Sequence, residues 1–159
     1  MKKALSLLLI LATTILGPQT MASAAASPES ADEIGYTNSE VRFSLTLPAS
    51  WAGQYRIISS AASVSFLHRE SEEDGSKTGV LFSIIRYDGK SAAKDVVGAG
   101  KRYLAAQTNE YSYVLAYPSG VEYTDTSKVG YQKLAADIDK IGKTVTTVPV
   151  TDMTDPTYS

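Results

Sequence analysis

The chain has 159 residues, a formal net charge of −2, no cysteine and one histidine, His68. This length suits a single domain with a sufficient apolar core. The lack of cysteine excludes thiol catalysis, thiolate metal sites and a cysteine-linked lipid anchor, and the scattered basic residues argue against nucleic-acid binding.

The N-terminal segment, residues 1–24, has the organisation of a secretory signal peptide. Two lysines precede an apolar run over 4–16, which is shorter than the ~20 residues that span a membrane. Small residues suit cleavage after Ala24 or after Ala25. We therefore expect a secreted chain with a net charge of −4 and no stable membrane anchor after cleavage. An uncleaved, membrane-anchored N-terminus is the alternative.

The rest of the chain divides into a spacer, one domain and a tail. Residues 25–35 are Ala, Ser, Pro and acidic residues without periodicity, which predicts a flexible spacer. We expect one globular α+β domain over 36–148. Residues 149–159 have no pattern and are expected to form a loose tail.

Alternation of apolar and polar residues predicts six strands of an antiparallel sheet. They cover 41–47, 55–60, 63–68, 80–87, 102–107 and 111–117. The strand over 80–87 is the most apolar segment of the domain, which places it near the middle of the sheet. Trp51 is expected to fill the core, and the charged segment 70–76 to form a solvated turn.

After Asp125 the apolar period changes from two to about three and a half, which predicts a long C-terminal helix. Its apolar stripe consists of Tyr131, Leu134, Ile138, Ile141 and Val145, and its outer side carries Lys133, Asp137 and Lys140. A short helix is expected over 91–97. These elements predict an α+β fold in which a single antiparallel sheet has the C-terminal amphipathic helix and the short helix packed on one face.

Short segments spread over residues 36–145 carry a family resemblance. They include Phe43-Ser44-Leu45-Thr46-Leu47-Pro48, Ser50-Trp51, Phe66-Leu67-His68, Leu81-Phe82-Ser83-Ile84, Tyr113-Val114 and the helix around Tyr131. In type and order they resemble exported domains of uncharacterised function from clostridia and bacilli, and the lack of cysteine suits an exported protein of a Gram-positive bacterium.

The segment from Phe43 to Trp51 also resembles the opening of PsbP-like and Mog1-like domains. That resemblance implies an α+β sandwich of an antiparallel sheet with helices packed on it. Functions on this fold are mostly binding or accessory roles, so the resemblance implies no catalytic residue.

His68 is a candidate general base or metal ligand because it is the sole imidazole of the chain. No second histidine exists to complete a zinc site, and no G-x-S-x-G elbow marks a serine nucleophile. A structural role at a strand end, or on an edge strand, is the simpler interpretation. The acidic run 70–74 lacks the D-x-D-x-D-G spacing of a calcium loop, so a solvated loop is favoured there.

Three tyrosines are predicted to share one face of a strand: Tyr111, Tyr113 and Tyr117. Such a row stacks on sugar rings or forms a protein-binding patch, because each ring is flat and apolar with a wet hydroxyl. The simpler alternative is that the rings pack across the sheet. Together with His68, these residues are the candidates for a ligand surface.

Two functions from different classes remain open. The first is an exported non-catalytic binding or accessory module of the cell envelope or extracellular space, with an envelope protein or a wall glycan as partner and no cofactor. The second is a small secreted hydrolase or metal-dependent enzyme that uses His68. A pocket that joins His68 to an acid or a serine favours the enzyme, and a flat aromatic surface favours the binding module.

Overall fold

The computed structural model describes residues 33–90, 97 and 100–149, which form an α+β domain of eight strands and three helices. The strands are β1 (Glu33–Asn38), β2 (Phe43–Pro48), β3 (Tyr55–Ser59), β4 (Ser63–His68), β5 (Val80–Asp88), β6 (Arg102–Gln107), β7 (Tyr111–Ala116) and β8 (Thr146–Thr147). The helices are α1 (Arg69–Glu73), α2 (Lys128–Ala135) and α3 (Ile138–Gly142). None of the helices described is long and apolar enough to cross a membrane.

The strands form two antiparallel sheets, with the orders β1-β2-β8 and β3-β4-β5-β7-β6. The predicted α+β class with an antiparallel sheet is confirmed, and the prediction of a single sheet is wrong. Pro48 ends β2, and a 3-10 turn at Ala49–Trp51 follows before β3 begins. The hairpin of β1 and β2 therefore packs its apolar side against the larger sheet instead of extending it.

Strand β1 begins at Glu33, so residues 33–35 belong to a strand and not to the predicted spacer. Ile34 pairs with Leu47 and Tyr36 pairs with Leu45, and both β1 side chains pack against the core. The period-two signal of β1 is weak because Gly35 and polar residues occupy its outer face.

The core lies between the two sheets and the C-terminal helices. The smaller sheet contributes Phe43, Leu45 and Leu47, and Val41 lies in the turn between β1 and β2. The larger sheet contributes Val64, Phe66, Phe82, Ile84, Tyr113 and Leu115. Strand β5 is the central strand of the five, as predicted, and the rings of Phe66 and Phe82 stack at 4.6 Å across β4 and β5.

The C-terminal helical segment is two helices and not one. All five residues of the predicted stripe are buried, so the predicted face is confirmed. The break falls at Ala136 and Asp137, where the Asp137 amide bonds to the Leu134 carbonyl in a tight turn. Asp137, predicted on the outer side, accepts a hydrogen bond from Trp51 Nε1 at 3.1 Å.

One further local prediction differs from the structure. The charged run over 70–76 includes helix α1 where a turn was predicted, because Ser71 is fully buried and anchors that turn of the chain. The short helix predicted over 91–97 lies almost wholly outside the described residues, as does the predicted tail beyond 149.

Candidate functional site

His68 lies at the end of β4, which is an interior strand because β3 and β5 flank it. The side chain is 2% exposed, and its ring stands edge-on to Tyr131 at 6.0 Å. Its Nδ1 atom lies 2.8 Å from Ser71 Oγ on helix α1. The sole histidine is therefore a buried contact between the sheet and two helices.

A continuous hydrogen-bonded chain leads from this imidazole to the protein surface. Ser71 Oγ donates to Ser127 Oγ at 3.0 Å, and Ser127 Oγ lies 3.1 Å from Thr124 Oγ1. Thr124 Oγ1 in turn donates to Asp74 Oδ2 at 3.0 Å. We call these five side chains the His68 chain. Each hydroxyl has one proton to donate, and Ser71 gives its proton to Ser127. Ser71 must therefore accept at the other side, so His68 Nδ1 carries a proton and donates it to Ser71 Oγ.

This direction is the wrong one for nucleophilic catalysis. A general base must accept the serine proton, whereas His68 donates to Ser71, and Ser71 is fully buried. The other ring nitrogen, Nε2, faces Gly130, where a β-carbon would lie only 2.9 Å away. The His68 chain thus joins β4, α1 and the start of α2.

A cavity of about 170 Å³ beside His68 is lined by Gly53, Gln54, Arg69, Glu70 and Glu73 as well. This cavity has the feature that was expected of an enzyme, because the carboxyl groups of Glu70 and Glu73 lie beside the histidine. The imidazole presents almost no surface to it, however, since His68 is 2% exposed. Within the described part of the chain, no three His, Asp or Glu side chains come together as a metal site.

Burial lowers the pKa of His68 below its ordinary value of 6.5, and the negative charge of Glu70 opposes that shift. The unfolded chain therefore binds the proton more readily than the folded one. Stability is fully present above about pH 6.5 and falls as the pH drops through that value towards the lowered folded pKa.

We accordingly expect wild-type protein to lose stability relative to a His68→Asn variant as the pH falls from 7.5 to 5. Asparagine keeps an amide donor near the position of Nδ1 and does not titrate, and the carboxylates common to both proteins cancel. Urea unfolding at several pH values measures the difference. A wild-type to variant difference that stays constant over this range would contradict the buried neutral imidazole.

The three tyrosines do not form one exposed row. Tyr113 is 1% exposed, and its hydroxyl donates to the Arg42 carbonyl at 2.9 Å and lies 3.0 Å from the Val41 carbonyl. Tyr117 follows the end of β7 and donates to Asp139 on α3. Tyr111 is half-buried at the opposite end of β7. The packing alternative therefore describes Tyr113, whereas Tyr117 lines an open cavity with Lys101 and Arg102, and Tyr111 lines another open concave surface together with Arg42.

That surface is a groove of about 500 Å³ where the smaller sheet meets the β6–β7 turn. It is lined by Arg42, Thr108, Asn109, Glu110, Tyr111, Tyr113, Thr147, Val148 and Pro149, and we call it the Tyr111 groove. The guanidinium carbon of Arg42 lies 5.2 Å from the centre of the Tyr111 ring, and that of Arg86 lies 4.9 Å from it. Both distances are within the range of cation–π attraction.

The two arginines are held differently. Arg86 Nη1 donates to the Glu40 carbonyl at 2.8 Å and Nη2 to the Ala61 carbonyl at 3.3 Å, so this side chain ties two turns to β5. In the part of the chain that the structure describes, the Arg42 guanidinium makes no hydrogen bond. It has one ion pair, a long contact of 4.0 Å between Nη1 and Glu110 Oε2.

The backbone of Arg42 is left-handed, with φ +67°, and no other non-glycine residue of the described ranges has a positive φ. Such a conformation is costly for a residue with a β-carbon, and it persists only where the surroundings enforce it. Here the Arg42 amide bonds to the Asn38 carbonyl, and its own carbonyl accepts from the Val148 amide and the Tyr113 hydroxyl. The fold therefore aims the Arg42 side chain into the groove.

Sequence reasoning identified Tyr111 but missed Arg42 and Arg86. The available signal for Arg42 was its place after the Asn38 to Val41 turn, in which Asn38 Oδ1 accepts from the Val41 amide at 2.7 Å. No family model, curated protein or solved structure matches the chain.

Proposed function

We propose that this chain is an exported, non-catalytic binding or accessory module that acts in the cell envelope or extracellular space. The observation that carries the proposal is the Tyr111 groove, an open concave surface that presents an aromatic ring and a weakly paired guanidinium beside the smaller sheet. Such a mixture of apolar and convergent polar groups is typical of ligand sites.

The proposal includes a fold assignment, a variant of the PsbP-like and Mog1-like sandwich. The Phe43 to Trp51 opening and the C-terminal helices support it. Its antiparallel five-stranded sheet carries helices on the same side as a second, smaller sheet. Binding and accessory roles on that fold agree with the proposed function.

The hydrolase alternative rests on the small cavity beside His68, where Glu70 and Glu73 converge. The hydrogen bonds of the His68 chain argue against the hydrolase alternative. The His68 imidazole donates to a serine that no substrate can reach, and a general base needs a reactive proton within hydrogen-bond distance.

Export is tested by expressing the full chain in a Gram-positive host and recovering it from the medium and the envelope. We expect an N-terminus near Ala25, because the small residues before it suit signal peptidase. Intact mass spectrometry of the recovered protein measures this. Protein recovered outside the cell with Met1 retained would contradict the export route.

The binding role is tested with the processed protein and purified Gram-positive wall material in a sedimentation assay. We expect the protein to sediment with the wall and to be released by salt, since a guanidinium contact is electrostatic. A Lys133→Ala variant serves as the control, because this surface residue of α2 lies outside the groove, and it should sediment as the unchanged protein does. Protein that stays in the supernatant at low salt would argue against a wall partner.

A further inference from the structure

We propose that the Tyr111 groove is a carboxylate-binding site, with Arg42 as the residue that holds the acid group. The inference rests on the proposed binding function and names its ligand class. The ligand is a small molecule or chain end with one free carboxylate, and its remainder lies along the rest of the groove.

The Arg42 guanidinium is suited to hold a carboxylate. Its donors form a planar fork that matches the two oxygens of a carboxylate. In the described residues these donors have no hydrogen-bond acceptor, although the side chain is only 29% exposed. Three hydrogen bonds to its backbone and a left-handed φ fix the point from which the side chain extends into the groove.

Glu110 already places a carboxylate near the Arg42 guanidinium. Its side chain is 73% exposed, and its oxygen lies 4.0 Å from Arg42 Nη1. An exposed ion pair of this length contributes little, so a ligand carboxylate can displace it. Glu110 therefore acts as an internal competitor for the same position.

The groups around Tyr111 favour a carboxylate over a neutral sugar or a phosphate. A neutral sugar needs an open aromatic face, but guanidinium groups lie 5.2 and 4.9 Å from the Tyr111 ring centre. A phosphate dianion favours two uncommitted cations, and Arg86 already donates to two carbonyls. The groove therefore offers one weakly paired guanidinium, that of Arg42, beside the Glu110 carboxylate, which a ligand can displace. This arrangement matches a ligand group with a single negative charge.

The remaining lining determines which groups the ligand carries next to its carboxylate. Asn109 and Thr147 offer an amide and a hydroxyl, Pro149 offers an apolar surface, and the Thr108 hydroxyl is already bonded within the β6–β7 turn. A short peptide end and an acidic sugar share this chemistry, because both join a carboxylate to further polar groups. The experiment therefore includes both sources.

The test uses the processed protein and amide chemical-shift titrations by NMR. The probes are N-acetyl-dialanine with a free carboxylate, its C-terminal amide, glucuronate, glucose and inorganic phosphate. We expect saturable shifts at residues 108–111 with at least one carboxylate and none with the amide or glucose. Equal binding of the dipeptide acid and its amide, or tighter binding of phosphate than of either carboxylate, would overturn the proposal.

Two variants sharpen the result. Arg42→Asn removes the guanidinium and keeps a residue that tolerates a left-handed backbone, so the fold is expected to persist. Because a hydrogen bond to a charged group is worth about 1.5–3 kcal/mol, affinity should fall by about 10-fold or more. Glu110→Gln removes the competitor and should tighten binding. Unchanged affinity in Arg42→Asn, in a protein whose spectrum remains that of the folded state, would refute the role of Arg42, and unchanged affinity in Glu110→Gln would refute the competitor role of Glu110.

Failure here is distinguishable from failure of the proposed function. If wall material retains the wild-type protein and Arg42→Asn equally, the module binds elsewhere and the carboxylate site is wrong. If neither wall material nor any carboxylate probe binds, the binding function itself is contradicted.

Discussion

Replacing Leu134 by alanine is expected to lower the free energy of unfolding by about 2–5 kcal/mol. Leu134 is fully buried on α2 and belongs to the same core cluster as Phe82 and Leu115 of the larger sheet. Truncation removes apolar contacts and leaves a cavity that fixed strands cannot close. Such a loss is a large share of the roughly 5–15 kcal/mol that stabilises a typical domain.

The matched control is Lys133→Ala, one residue earlier on the exposed side of the same helix. It should change stability by no more than about 0.5 kcal/mol. Urea melts followed by far-ultraviolet circular dichroism compare the two variants under identical conditions. Equal midpoints for the two would mean that α2 does not pack against the sheet through this face.

Local periodicity was sufficient to predict most of the fold. The alternation that buries Val41, Phe43, Leu45 and Leu47 requires only neighbouring residues, and the same holds for the helical stripe. The number of sheets could not be predicted in this way. Whether β2 joins the larger sheet or packs across it depends on contacts between residues far apart in sequence, and its pairing partner β8 is only two residues long.

The candidate site was less predictable because it depends on long-range geometry. Ser127 lies directly before α2, where a serine side chain commonly caps the helix, yet it makes no capping bond and its hydroxyl joins the His68 chain. Arg42 looks like an ordinary polar residue on the outer face of the strand predicted over 41–47. Only the turn that gives it a left-handed backbone directs it towards Tyr111.

Replacing Trp51 by alanine should cost about 3–5 kcal/mol, the largest single effect we expect. The indole is fully buried, and its ring packs against Tyr55 at 5.9 Å and Phe82 at 6.1 Å. Its Nε1 also donates to Asp137 Oδ2 at 3.1 Å, which joins the 3-10 turn to the break between α2 and α3. Both the apolar contacts and this hydrogen bond are lost in the variant.

Trp51→Phe separates the two contributions, because it keeps an aromatic ring and removes the donor. We expect an intermediate loss of about 1–3 kcal/mol, and Asp137→Ala should cost a similar amount because it leaves the buried indole N–H unpaired. The double variant should then be less destabilised than the sum of its parts, since both changes break one bond. Urea melts followed by circular dichroism provide all four stabilities. Full additivity would show that Asp137 does not hold Trp51, and that another interaction ends α2.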